Sequence, residues 1–343
     1  MFTITLGLDL GDRTSVFCQL DATGTVSERG KVPTTTAALQ PFFAKLPRCR
    51  IVLEVGTHSP WASRLAAAAG HEVIVANPRR VRLIGAALRK NDDLDAETLA
   101  RLGRMDPQLL APIRHRGEQA QADLAVIRGR DALVRTRTLL INHVHGVIKA
   151  FGARAPACTK RTFVRKVTPI VPLPLLPALH PALETIDALS QQISGLDRTI
   201  LQVATARYPE VAALRQIPGV GPITALCFVL TLEDPDRFPQ SRGVGAFLGL
   251  CPREHQSGER DPQLRISKAG DAMLRRLLVT AGHYILGPFG PDCTLRRWGL
   301  RLAERGGTNA KKRAVVAVAR KLATILHHLW VTGEVYRPLD RAA

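Results

Sequence analysis

Ile4-Thr5-Leu6-Gly7-Leu8-Asp9-Leu10-Gly11 decides the reading of this chain. It is an apolar run that closes on an aspartate and is followed by a Gly11-Asp12 turn. That is the composition of a buried strand delivering one carboxylate to its C-terminal end. A second run, Ile51-Val52-Leu53-Glu54-Val55-Gly56, ends in the same way on Glu54. A third acidic signal, Lys90-Asn91-Asp92-Asp93-Leu94-Asp95-Ala96, falls in a predicted helix. There Asp92 and Asp95 share a face, and Asp93 points away. Four carboxylates brought together repel one another unless a cation sits between them. Hard oxygen ligands in that number suit Mg2+, which acts on phosphate esters. Asp9, Glu54, Asp92 and Asp95 are therefore read as metal-binding and catalytic candidates. Singly, each is equally well a turn acid, a strand-end charge or part of a solvated helix face. Their order along the chain carries the reading.

Working outward, residues 3–10, 14–21 and 25–32 are predicted strands joined by turns at Gly11-Asp12 and Asp21-Ala22-Thr23-Gly24. A helix over 36–46, a buried strand over 50–55, and a helix over 59–69 capped by Ser59 and ended by Gly70 follow. A strand over 72–76 stops at Asn77-Pro78, and a longer helix covers 79–103. A three-stranded meander and then helix, strand, helix, strand, helix is the ribonuclease H order. The expected architecture is one mixed α/β sheet covered by helices.

The 343 residues suffice for two or three domains, and 45% hydrophobic content supports real cores. The formal net charge of +19 attracts a polyanion, though charge alone gives affinity without sequence preference. Aromatics make up only 5%, which argues against stacking as the main mode of contact. The six cysteines are scattered singly, with no CxxC and no zinc spacing, as in a reduced cytosolic protein. No apolar run reaches the roughly 18 residues of a membrane span. The N-terminus lacks the basic region and cleavage site of a signal peptide. A cytoplasmic, nucleoid-associated protein with no membrane partner is expected.

The second part of the chain reads as mostly α. Residues 117–150 are consistent with one long helix. The prolines of 155–182 predict an irregular connection with no helix. Leu183, Ile186, Leu189, Ile193, Leu196, Ile200 and Val203 then form a coiled-coil seam, facing either the preceding helix or another subunit. Gln216-Ile217-Pro218-Gly219-Val220-Gly221-Pro222-Ile223 has the pattern of a helix-hairpin-helix. Gly219 and Gly221 would open the hairpin, and the next helix would turn its N–H groups to a phosphate. In 247–276, Ser257-Gly258 lies in a polar loop bracketed by Arg253, Arg260, Arg265 and Lys268, with Arg275 and Arg276 beyond. A serine hydroxyl becomes a nucleophile only when a base takes its proton and cations offset the charge on the attacked phosphate. By residues alone Ser257 is first a turn residue, and Ser267 is the cap of a helix starting near 268. Lys311, Lys312 and Arg313 add to a basic segment over 296–321, read as a phosphate-tracking surface.

Taken together these residues resemble the DEDD-type transposases of bacterial insertion sequences, the Piv/MooV-like group that includes the Piv DNA invertases. The front half is similar to that family's RuvC-like domain. The back half is similar to its transposase domain through Pro218-Gly219-Val220-Gly221, Phe247-Leu248-Gly249-Leu250, Pro252-Arg253, Ser257-Gly258 and Ile266-Ser267-Lys268-Ala269-Gly270-Asp271. Asn91 stands where the family more often has threonine.

The resemblance implies a RuvC-like domain over 1–110 and a helical coiled-coil region over 111–207 with the proline-rich connection 155–182. A C-terminal transposase domain would cover 208–343. It places the acidic tetrad on Asp9, Glu54, Asp92 and Asp95. It also makes Ser257 the nucleophile, reversing the turn reading: the hydroxyl attacks a DNA phosphate and forms a phosphoserine link. The two centres would form a composite site. Members with this layout are similar to recombinases guided by a structured bridge RNA that pairs with target and donor DNA, and they act as homo-oligomers, dimer or tetramer. Two alternatives remain open on the sequence. One is a Holliday-junction-type nuclease with the same tetrad and water as nucleophile. The other is a decayed, non-catalytic nucleic-acid-binding protein.

Overall fold

The computed structural model describes residues 3–78, 92–253, 255–256, 262 and 264–339. The chain divides into two compact units, Met1–Arg116 and Gly117–Ala343.

The first unit is a five-stranded sheet in the order β3-β2-β1-β4-β5. Its strands are β1 (Thr5–Asp9), β2 (Thr14–Leu20), β3 (Val26–Pro33), β4 (Arg50–Glu54) and β5 (Glu72–Ala76). The first three form the antiparallel meander; β4 pairs parallel with β1, and β5 parallel with β4. Helices α1 (Thr36–Lys45) and α2 (Ser59–Ala68) cover one face, and α3 (Asp92–Met105) the other. The alternation of each strand explains this split. Leu6, Leu8, Ile51 and Leu53 bury into the core with Leu39, Phe43, Ala62 and Ala66 of α1 and α2. The intervening Val52 faces Leu99 and Leu102 of α3.

One expectation is corrected here, and another is met over its described residues. Ser59 does not cap α2: His58 holds the N-cap position, and Ser59 is the first helical residue. The helix expected over 79–103 is described only from Asp92 and runs on to Met105; residues 79–91 lie outside the described residues.

The second unit is helical. The long helices α4 (Glu118–Ala150) and α6 (Leu176–Arg207) pack on each other as an antiparallel hairpin. At one end Leu124 and Ile127 meet Ile200 and Ala204; at the other Val144 and Ile148 meet Leu179, Leu183 and Ile186. Arg130 pairs with Asp197 across the middle. The seam of α6 thus faces α4.

The proline-rich stretch departs from the expected irregular connection. It contains the short helix α5 (Phe163–Val167) and the first turns of α6. Pro177 occupies an N-terminal helical position, where no hydrogen bond is lost. Pro181 lies inside the helix and forgoes one backbone bond. Burial of Leu179 and Leu183 on either side offsets that loss.

The remaining helices are α7 (Glu210–Leu214), α8 (Pro222–Leu232), α9 (Arg242–Phe247), α10 (Ala272–Leu286), α11 (Thr294–Glu304) and α12 (Ala310–Thr332). α8 is the centre of this unit, with every residue from Thr224 to Leu232 buried. α12 has the length and apolarity of a membrane span, yet Val318, Ala319, Leu322, Leu326 and Leu329 pack into the same core as α8 and α10.

Candidate functional site

Three of the four acids expected at a metal site come together from two elements. Asp9 is the last residue of β1, and Asp92 and Asp95 stand in the first turn of α3. Each offers a carboxylate oxygen, and the three oxygens lie within 4.8 Å of one another. Oxygens arranged about one hard cation are separated by up to about 4–5 Å, twice a metal–oxygen bond. The trio fits such an ion, and its composition of carboxylates without nitrogen or sulfur suits Mg2+ or a similar cation.

Glu54 is not one of the three. It ends β4, beside β1, where Leu8 is in register with Leu53. Asp9 and Glu54 therefore occupy neighbouring positions at the C-terminal edge of parallel strands, on the face that α3 covers. That edge is where open α/β sheets bind ligands. Asp93 also lies in the first turn, exposed. The positive end of the helix dipole partly offsets the gathered negative charge.

A close approach of backbone to backbone brings α3 within reach of Asp9. Gly7 lies under α3, and a Cβ there would stand 2.0 Å from the Ala96 carbonyl oxygen and 2.6 Å from the Ala100 nitrogen. Farther along, a Cβ at Gly103 would meet the Val52 side chain at 2.3 Å. Side-chain ties fix the direction of the helix. Arg50 donates to Gly103 O at 2.9 Å, Arg104 to Ala22 O, and Glu97 accepts from Arg29 and Arg101.

The rim of the same sheet edge carries residues that the sequence did not mark as part of a site. Trp61 Nε1 donates to His58 Nδ1 at 3.4 Å, and His58 Nε2 lies 3.5 Å from the Asp12 carboxylate. Asp12 belongs to the turn that follows Asp9. Ser59 Oγ donates to Gly56 O at 2.8 Å, accepts from Gly56 N and meets His115 Nε2 at 2.8 Å. Burial, and then Arg64 and Arg116, hold His115 below the usual histidine range. These contacts fix the loop leaving Glu54. Only the loop's place just after an acid-terminated strand could have signalled them.

In the second unit the motif residues meet around the base of one loop. Pro252 and Ile266 form an antiparallel bridge; Arg253 N donates to Arg265 O at 3.0 Å and Ser267 N to Cys251 O at 2.9 Å. Lys268, in the left-handed region at φ 55°, donates its N–H to Gly249 O at 3.1 Å. Gly249 and Gly270 also have left-handed backbones, at φ 68° and 67°. A Cβ on Gly249 would lie 2.2 Å from Ala269 N, and one on Gly270 2.1 Å from Phe247 O. The two segments, 247–253 and 265–271, are thus one clasp. In sequence, Ser257, Gly258 and Arg260 fall between these two segments, and they lie outside the described residues.

The expected cap is corrected here: Asp271, not Ser267, caps α10, accepting from Leu274 N at 2.9 Å, and the helix starts at Ala272. Ser267 Oγ accepts instead from Ala269 N at 3.4 Å.

The other expected phosphate contacts differ in their surroundings. Arg253, Arg265, Lys268, Lys311, Lys312 and Arg313 are exposed. Arg275 gives its Nη1 to Leu248 O at 3.0 Å and Ala269 O at 2.6 Å, bracing the clasp. Arg276 pairs with Asp131 on α4. Gly219 has φ 84°, Gly221 is the N-cap of α8, and both line an open cleft of about 520 Å³ with Arg215, Thr224, Thr280 and Tyr284.

Comparison with known proteins covers both units. Residues 6–152 match the DEDD transposase family of IS110, and residues 211–288 match the family described as Transposase IS116/IS110/IS902. The chain is 31% identical to the transposase for insertion sequence element IS1328 of Yersinia enterocolitica over 340 residues, 96% of this chain and 98% of that protein. It is 32% identical to the putative transposase y4pF/y4sB of Sinorhizobium fredii over 312 residues, 88% of this chain and 78% of that protein. It is 28% identical to the transposase for insertion sequence element IS1111A of Coxiella burnetii, covering 97% of this chain and 91% of that protein.

Proposed function

Because the chain belongs to the IS116/IS110/IS902 family of insertion-sequence transposases, enzymes that cut and move DNA, we propose that it does so through a divalent-metal carboxylate centre and a serine nucleophile. The observation that carries the first half is the meeting of Asp9, Asp92 and Asp95 oxygens within 4.8 Å. These three would hold the ion, Mg2+ by the chemistry of the donors, with Glu54 beside them on the next strand. A bound cation would neutralise charge on the scissile phosphate and polarise its P–O bond. The carboxylates also fix where a phosphate is accepted, since without the cation they repel it.

The second half rests on the resemblance and on the clasp formed by the segments that precede and follow Ser257 in the sequence. In this reading the Ser257 oxygen forms a bond to phosphorus, its proton passes to a base, and the P–O bond to the departing deoxyribose breaks. The phosphoserine keeps the energy of that bond for a new DNA hydroxyl, which explains rejoining without a ligase. Arg253, Arg260, Arg265 and Lys268 would offset the phosphate charge, while Gly219, Gly221 and the exposed Lys311, Lys312 and Arg313 hold the DNA backbone. A bridge RNA doing the sequence reading, and a dimer or tetramer, complete this reading.

The decisive experiment separates cutting from joining on DNA carrying the element's ends. Asp9→Asn and Asp95→Asn are expected to abolish cleavage and to lose any rise in melting temperature that Mg2+ gives the wild type. Ser257→Ala is expected to abolish the covalent protein–DNA species and strand joining. Cleavage by Ser257→Ala at the wild-type rate would instead make water the nucleophile, as in a junction-resolving nuclease. Transposition requiring no element-derived RNA would remove the guide from the proposal.

A further inference from the structure

The end of α10 runs into Gly287-Pro288-Phe289-Gly290-Pro291. Phe289 is 84% exposed, more than any other large apolar side chain among the described residues. Its loop is nevertheless tightly framed. Gly287 N donates to Tyr284 O at 3.1 Å, and Gly290 N to Gly287 O at 3.2 Å. Arg296 reaches back from the first turn of α11 and gives its Nη1 to Gly287 O at 2.6 Å and to Ile285 O. Gly290 is seated so closely that a Cβ would lie 2.3 Å from Ile285 O. Two prolines remove further backbone freedom. The backbone is fixed and the ring is held in water.

A single exposed ring needs no explanation in general. Here two circumstances give it one. The chain carries a net charge of +19, which favours a polyanion over an apolar protein partner at its surface. Beside the loop stands Tyr284, 45% exposed, whose ring leans on the hairpin turn: a Cβ on Gly219 would lie 2.9 Å from Tyr284 Cδ1. Tyr284 thereby lines the cleft that also holds Arg215, Gly221 and Thr280. The cleft offers a guanidinium and the start of α8, where the first main-chain N–H groups of a helix have no intrahelical acceptor. A phosphate suits the cleft, and a base suits the Tyr284 ring that lines it.

We propose that Phe289 is a stacking residue for an unpaired nucleobase of the bound DNA, with Tyr284 as its flank. The proposal rests on the transposase reading above. Strand exchange requires bases to leave the duplex stack, and an aromatic face is a sequence-tolerant platform for them. The rigid frame means that little conformational freedom is lost when the base arrives.

The test uses the full chain, Phe289→Ala, Phe289→Trp, and two DNA probes: a fully paired duplex and the same duplex with a central unpaired bubble containing 2-aminopurine. Wild type and Phe289→Trp are expected to quench the 2-aminopurine, and Phe289→Ala to leave it bright. Phe289→Ala should bind the bubbled probe roughly tenfold more weakly, with an unchanged salt slope and unchanged binding to paired DNA. Equal quenching and equal affinity for Phe289→Ala would overturn the proposal. An effect confined to an RNA probe of the same sequence would overturn the DNA assignment. A change of sedimentation with no change at the base would assign the ring to a protein interface instead. Failure of the transposase reading is distinguishable, because wild type would then neither cut nor join DNA carrying the element's ends, whatever Phe289→Ala does at the base.

Discussion

A methyl group at position 7 would have to sit 2.0 Å from the carbonyl oxygen of Ala96, so Gly7→Ala must push α3 off β1. Overpacking of this kind costs about 1–3 kcal/mol. It also separates Asp9 from Asp92 and Asp95. We expect a lowered melting temperature together with loss of any Mg2+-induced stabilisation. Gly56→Ala, with nothing within 4 Å of the added carbon, serves as the control and should melt like wild type. At this scale the sequence showed the acids, because charges that end apolar runs are conspicuous. It did not show Gly7, whose role depends on the strand's alternation placing it under a helix from elsewhere in the chain. The two serine caps failed for a related reason. Several residues near a helix start could have served, and the backbone turns at His58 and Asp271.

Among the elements, the α4–α6 hairpin has its polar lock at Asp123, which is 4% exposed. Its carboxylate accepts from Arg207 at 2.7 Å, Tyr208 at 2.8 Å and Gln119 at 3.2 Å. Asp123→Ala leaves the partners without an acceptor and should cost about 3 kcal/mol in denaturant unfolding of this unit. Burial first, and then the hydrogen bond to Asp123, push the Tyr208 hydroxyl up to about 12 from an ordinary 10.0. A folded pKa above the unfolded one contributes stability below the unfolded value and loses it as pH rises through the folded value. Stability should therefore fall between pH 10.0 and about 12, and Tyr208→Phe should make that fall shallower in a pH series of melts. The strand and helix order of the first unit was legible, because each element carries its own periodicity. The first turns of α6 were not, because proline at 177 and 181 reads as a breaker until burial of the neighbouring leucines outweighs it.

For the molecule as a whole, each unit has its own apolar core, one between sheet and helices and one around α8. Calorimetry should resolve two transitions rather than one, with Gly7→Ala moving only one of them and Asp123→Ala only the other. DNA affinity should fall steeply with added salt, each neutralised phosphate adding about 0.9 to the log–log slope. A flat response would contradict the basic surface drawn from the +19 charge. The overall charge was plain in the sequence. The way the 247–253 and 265–271 segments lock together was not, since left-handed glycines at 249 and 270 have no periodic signature. That lock has a use at the bench. With Pro252 and Ile266 bridged, the stretch they enclose is anchored at both ends like a cassette. Segments of differing length from related chains could be grafted between the two anchors, exchanging chemistry while the scaffold beneath keeps its shape.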